Sequence, residues 1–107
     1  MKIFLDTADT DIIRKYFETG LVDGVTTNPT LIMKSGRNPE DVYEDIRDIG
    51  VKDISMEVVG NADDMTTEGV RLYQKFGDVC TIKVPCTREG LEVCKKLSDM
   101  GLSLIHI

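Results

Sequence analysis

The chain of 107 residues has no tryptophan, a single histidine, three cysteines and only 6% aromatic residues. The lone histidine, His106, sits at the carboxyl end, and Cys80, Cys86 and Cys94 share no CxxC spacing. A zinc site is therefore not expected, and neither is a disulfide framework, since the cysteines are odd in number. Three reduced, mostly packed thiols are the expectation, as in a cytosolic chain. Uninterrupted apolar runs are only a few residues long, far short of the roughly 20 that a bilayer helix requires. Met1-Lys2-Ile3 runs directly into a strand-like segment rather than a leader, so the cytoplasm is the expected compartment. Bases are also scarce: 13 Lys and Arg against 19 Asp and Glu give a net charge of −6, which argues against general binding to nucleic acid or anionic membranes. An anionic small molecule stays open, because a few local donors suffice to hold one.

Hydrophobic residues at 41% and charged residues at 30% describe one ordinary globular domain, large enough to bury roughly 60 to 70% of its unfolded surface. Four short apolar runs read as buried strands: 2–6 (KIFLD), 22–27 (VDGVTT), 54–59 (ISMEVV) and 79–85 (VCTIKVP). Each is followed by helical spacing, the rhythm of parallel βαβ units. The first helix is predicted from Asp9 to Gly20 with Ile12, Ile13, Tyr16 and Phe17 inward; a short helical turn follows Asn28-Pro29. Asn38 fits an N-cap with Pro39 at the first helical position, and Val42, Ile46 and Ile49 mark the buried face up to Gly50. A third long helix, 63–76, is predicted to bury Val70, Tyr73 and Phe76, and a fourth, capped by Thr87, to bury Leu91, Cys94, Leu97 and Met100.

A doubly wound sheet and a (β/α)8 barrel both begin this way, and strand parity separates them. Phe4 and Asp6; Gly24, Thr26 and Asn28; Ser55, Glu57 and Val59; and Thr81, Lys83 and Pro85 share one face, which is largely polar or small, while the opposite face is oily. A doubly wound sheet is covered by helices on both faces and needs both apolar, whereas a barrel can turn a polar face inward. The predicted fold is α/β, the first four βα units of a barrel that needs about 250 residues in full.

Asp6, Asn28, Glu57 and Lys83 fall at or near the carboxyl ends of the four strands, where a barrel would gather them at its active face. Singly, each has an ordinary reading: Asp6 as a cap, Asn28 as a turn residue before Pro29. Lys83 is the sharpest signal, because a lysine between Ile82 and Val84 is costly to bury charged unless it is paired or neutralised. A neutral, desolvated amine is a nucleophile that can form a Schiff base with a ketone. A structural ion pair with Glu57 or Asp6 is the alternative.

The segments FLDTA (4–8), GVTTNPTLI (24–32), MEVV (56–59) and IKVPCTREGL (82–91) resemble, in order and spacing, the small transaldolases and the related fructose-6-phosphate aldolases, with the likeness running from Met1 to Gly101. The resemblance implies a class I aldolase-like barrel without metal or organic cofactor. Lys83 would be the Schiff-base lysine, Asp6 the acid/base for the substrate hydroxyl, and Glu57 the carboxylate acting through a catalytic water. Asn28 and Thr26 would bind the dihydroxyacetone unit. The implied reaction moves that unit from sedoheptulose 7-phosphate to glyceraldehyde 3-phosphate in the pentose phosphate pathway, within a homo-oligomer whose partners are phosphorylated sugars. Glutamate at 57, where the aldolase branch has glutamine, favours the transaldolase branch; a fructose-6-phosphate aldolase-like enzyme or a non-catalytic half-barrel module are the alternatives. After Gly101 the likeness stops. Leu102 to Ile107 (LSLIHI) is what CTG TCT CTT ATA CAC ATC encodes, a string matching a transposon end used in sequencing libraries. Residues 1–101 are therefore expected to be the amino-terminal half of the barrel and 102–107 a non-native tail, in a truncated chain that alone is poorly folded and inactive.

Overall fold

A computed structural model describes residues 1–107. The chain alternates strand and helix, with five strands following one another in the sheet order β1-β2-β3-β4-β5. Doubly wound sheets reverse direction at a switch point, giving orders such as 3-2-1-4-5, so a sequential order without reversal excludes them. No helix is long and apolar enough to cross a membrane. The chain divides into two compact units, 1–54 and 55–107.

In the first unit, β1 (Phe4–Asp6) pairs parallel with β2 (Gly24–Thr26), in the register Phe4 to Gly24, Leu5 to Val25 and Asp6 to Thr26. The ladder continues past the strand ends, where the Thr7 amide donates to the Thr26 carbonyl at 3.1 Å. Three helices follow from their caps. Helix α1 (Thr10–Phe17) starts where the Asp9 carboxylate accepts from the Asp11 and Ile12 amides, and α2 (Pro29–Ser35) where the Asn28 side chain accepts from Leu31. Helix α3 (Pro39–Ile49) has Asn38 as cap, Pro39 at its first position, and Glu40 and Asp41 in its first turn, where negative charge suits the helix dipole. Val42, Tyr43 and Ile46 are buried, as is Ile13 of α1, and α1 and α2 both pack on α3. Ile12 and Tyr16, expected inward, are exposed: α1 buries only the narrow stripe through Ile13 and leaves Phe17 half-buried.

The second unit holds most of β3 (Ile54–Glu57), then α4 (Ala62–Phe76), a 3-10 turn (Gly77–Val79), β4 (Cys80–Val84), α5 (Arg88–Asp99) and β5 (Ser103–His106). Asn61 caps α4 and Thr87 caps α5. The oily strand parity is as expected: Met56, Val58, Ile82 and Val84 are at most 1% exposed. The helical phases differ from expectation. Helix α4 buries Met65, Gly69, Leu72 and Phe76 rather than Val70 and Tyr73, and α5 buries Gly90, Val93 and Leu97 while Leu91 and Met100 are exposed. Close approach sets these phases, because a Cβ on Gly69 would meet Leu97 Cδ1 at 2.8 Å and one on Gly90 would run into the Pro85 carbonyl. The glycines thus mark the buried faces, which a search for large apolar residues overlooks. Among the cysteines Cys80 is buried and Cys94 half-buried, and Cys86, in the β4–α5 loop, is the exposed one.

Residues 102–107, set apart above as a tail, supply a strand. β5 pairs parallel with β4, in the register Thr81 to Ser103 through Val84 to His106, and the Ile107 amide donates to the Val84 carbonyl at 3.0 Å. The chain therefore carries four βα units and a fifth strand rather than four units alone. The physical reason is that the open edge of β4 presents backbone groups that need partners, and the extended Ser103–His106 segment supplies them.

Candidate active site

In the first unit, Asp6 closes β1 and Thr26 closes β2. Register places them side by side, and the Thr26 hydroxyl donates to Asp6 Oδ1 at 2.9 Å. That bond holds the carboxylate in one orientation. Asn28, two residues further on, is half-buried, and its Oδ1 accepts from the Leu31 amide at 2.9 Å. Asn28, expected as a turn residue before Pro29, is thus the N-cap of α2. The cap fixes the side chain and leaves its amide nitrogen, a pair of donors, for a ligand.

In the second unit, Glu57 ends β3 and Lys83 lies one residue before the end of β4. The Val58 amide donates to the Lys83 carbonyl at 3.0 Å, which ties the two strands at this level. Lys83 Nζ stands 3.9 Å from Glu57 Oε2, with side chains only 15% and 10% exposed. At that separation the two attract as charges but are not hydrogen-bonded. Glu57 Oε2 is buried and has no hydrogen-bond partner. Burial pushes the Glu57 carboxyl above its ordinary 4.5, and the Lys83 charge pulls it partly back. A half-desolvated carboxyl that lacks a donor, beside an amine within reach, can hand a proton to a leaving hydroxyl or take one from water.

The raised carboxyl sets a sign for pH dependence. Between 4.5 and the higher folded value, the folded chain holds more protons than the unfolded one, so stability falls as pH rises through that window. Glu57→Gln removes the titration. Its stability relative to the parent should therefore grow from pH 4.5 upward and then level off. Urea unfolding of both proteins across that range checks this, and a difference constant with pH would count against it.

All five residues singled out in sequence are thus accounted for: Asp6 is joined to Thr26, Glu57 to Lys83, and Asn28 is a cap with spare donors. The hydroxyl of Thr26 as the partner of Asp6 was not foreseen, and its signal was the shared parity of 6 with 4 and of 26 with 24 once the two strands are paired.

Residues 3–105 match the family model of Transaldolase/Fructose-6-phosphate aldolase. The chain is 48% identical over 103 residues to a probable transaldolase of Nitrosopumilus maritimus (strain SCM1), covering 95% of this chain and 46% of that protein. Probable transaldolases of Jannaschia sp. (strain CCS1) and Paracoccus denitrificans (strain Pd 1222) are 52% and 50% identical over 102 residues each, covering 94% of this chain and 46% of theirs. The chain thus spans a little under half the length of the curated relatives it matches. With a match that runs through all four strand-end segments, the chain belongs to the transaldolase/fructose-6-phosphate aldolase family.

Proposed function

We propose that the gene product is a transaldolase that works through a Schiff base on Lys83, in a (β/α)8 barrel of which these residues form the first part. The observation that carries this reading is the Lys83–Glu57 pair: an amine on a buried strand, 3.9 Å from a buried carboxyl oxygen with no other partner. A purely structural pair would bring its atoms into hydrogen-bonding contact to offset the cost of burial. This one leaves Glu57 Oε2 without a hydrogen bond.

In the proposed sequence, the Lys83 amine in its neutral form attacks the C2 carbonyl of a ketose phosphate. Glu57 in its acid form protonates the carbinolamine hydroxyl, which leaves as water, and the iminium remains. Asp6 takes the proton of the C4 hydroxyl, the C3–C4 bond breaks, and its electron pair passes to the iminium nitrogen to give an enamine. The aldehyde departs, and the enamine carbon adds to a second aldehyde while Asp6 returns the proton. Water, deprotonated by Glu57, then adds to the product iminium, and the carbinolamine collapses to release the ketose and the Lys83 amine. Thr26 holds Asp6 for both transfers, and the Asn28 amide binds the hydroxyls of the three-carbon unit. The names of the relatives support transaldolase, and glutamate at 57 supports the same branch. Sedoheptulose 7-phosphate as donor, glyceraldehyde 3-phosphate as acceptor, a homo-oligomer and a cytoplasmic location belong to this reading, as does the absence of any cofactor.

Incubation of the gene product, at its native length, with fructose 6-phosphate and borohydride tests it. The imine should be reduced to a stable adduct that peptide mass mapping places on Lys83. An adduct on a different lysine, or none, would sink the proposal.

A further inference from the structure

Within the first unit, the pairing of Phe4 with Gly24 lies directly beneath the pairing of Asp6 with Thr26 on the β1–β2 ladder. Side chains two residues apart on a strand share a face, about 7 Å apart along it, so Phe4 stands one level below Asp6. Its ring leans across to the neighbouring strand. A Cβ built on Gly24 would lie 2.5 Å from Phe4 Cε2 and 2.7 Å from Phe4 Cζ, so the ring occupies the place where any other residue of β2 would put its side chain. The same Cβ would meet the Asp53 carbonyl oxygen at 2.7 Å, a backbone atom that cannot turn aside. Position 24 is thus closed to side chains, and Phe4 alone fills that level of both strands.

Two strands of three residues each are short, and backbone bonds by themselves leave their relative twist soft. The Asp6–Thr26 bond, 2.9 Å long between two side chains on partly open strand ends, depends on that twist. Water rising from below would also compete for both the carboxylate and the hydroxyl. A rigid ring spanning the two strands answers both problems.

We propose that Phe4 is a positioning residue for Asp6: its ring, seated on Gly24, sets the β1–β2 geometry and keeps water from beneath the Asp6–Thr26 pair. The inference rests on the aldol-transfer reading, in which Asp6 acts at bond cleavage and not at imine formation. Phe4→Leu removes the span of the ring but stays apolar. In the gene product at native length it should lower turnover of fructose 6-phosphate about tenfold, as expected when a reacting group is displaced by a fraction of an ångström. KM should stay within about twofold, and so should the rate of borohydride trapping on Lys83. Phe4→Tyr, which keeps the ring, should recover most of the turnover. If Phe4→Leu does not fold by circular dichroism, Phe4→Met serves in its place. Unchanged turnover in the Leu variant, a parallel fall in turnover and trapping, or failure of both substitutions to fold would overturn the proposal and leave Phe4 a packing residue. Absence of trapping in the parent protein is a separate result, which removes the aldol reading and this inference with it.

Discussion

Lys83→Met and Lys83→Arg should each lower transfer of the three-carbon unit by on the order of 10⁴-fold or more, the scale on which loss of a covalent nucleophile acts. The two substitutions answer different questions. Methionine removes the charge and the nitrogen but keeps an unbranched chain between Ile82 and Val84. Arginine keeps the positive charge beside Glu57 and even improves its hydrogen-bonding reach, yet a guanidinium cannot form the imine. Were the 3.9 Å contact with Glu57 a structural ion pair, arginine would preserve function and methionine would damage folding. For a Schiff-base lysine both are inactive and arginine folds normally. Methionine has a further consequence, because the Lys83 charge is what pulls the Glu57 carboxyl back toward its ordinary range. Without it the carboxyl should rise further. Steady-state transfer rates with thermal unfolding on the same samples decide the matter, and an active Lys83→Arg protein would exclude Lys83 as the nucleophile.

The strand ends were legible in sequence because parity is strict. A period of two assigns Glu57 and Lys83 to one face and Met56 and Ile82 to the other, and burial follows that assignment. Capping was legible at Asn38 and Thr87, short polar side chains just ahead of helical spacing, and each accepts an amide of the first turn; Asp9 and Asn28, read as a helix start and a turn residue, cap α1 and α2 in the same way. Helical phase was less so. A 3.6-residue period lets two adjacent stripes compete, and in α5 the stripe that wins runs through Gly90, whose merit is the side chain it lacks. Pairing of the last residues was not legible either. Ser103–His106 lie along the edge of β4 through backbone pairing and a 3.1 Å hydrogen bond between the Thr81 and Ser103 hydroxyls, and the family match itself runs to residue 105. In the site, chemistry-bearing residues could be named from sequence, but their partners could not. That Thr26 serves Asp6, and that Glu57 keeps an orphan oxygen toward Lys83, depends on ångström-scale register.

Asp6→Asn should lower cleavage and transfer by about 10²- to 10⁴-fold, the range for removal of a general acid/base, while leaving the Lys83 imine able to form. Asparagine matches aspartate in shape and its side-chain oxygen can still accept the Thr26 hydroxyl now bonded at 2.9 Å, so the β1–β2 ladder has no reason to shift. What is lost is the capacity to take a proton from the substrate hydroxyl, without which the C3–C4 electron pair has no path to the iminium. The variant should therefore stall after dehydration and accumulate the intact six-carbon adduct. Mass analysis after borohydride distinguishes the outcomes: the parent protein carries a mixture of six-carbon and three-carbon species, and Asp6→Asn should carry the six-carbon species almost alone. Thr26→Val provides the internal comparison, since it keeps the carboxylate and loses only the bond that orients it, so its loss should be nearer tenfold. A three-carbon adduct on Asp6→Asn at the parental proportion would mean that a different base cleaves the bond and would leave Asp6, which does not cap α1 as its ordinary reading had it, only a residue that ends a strand.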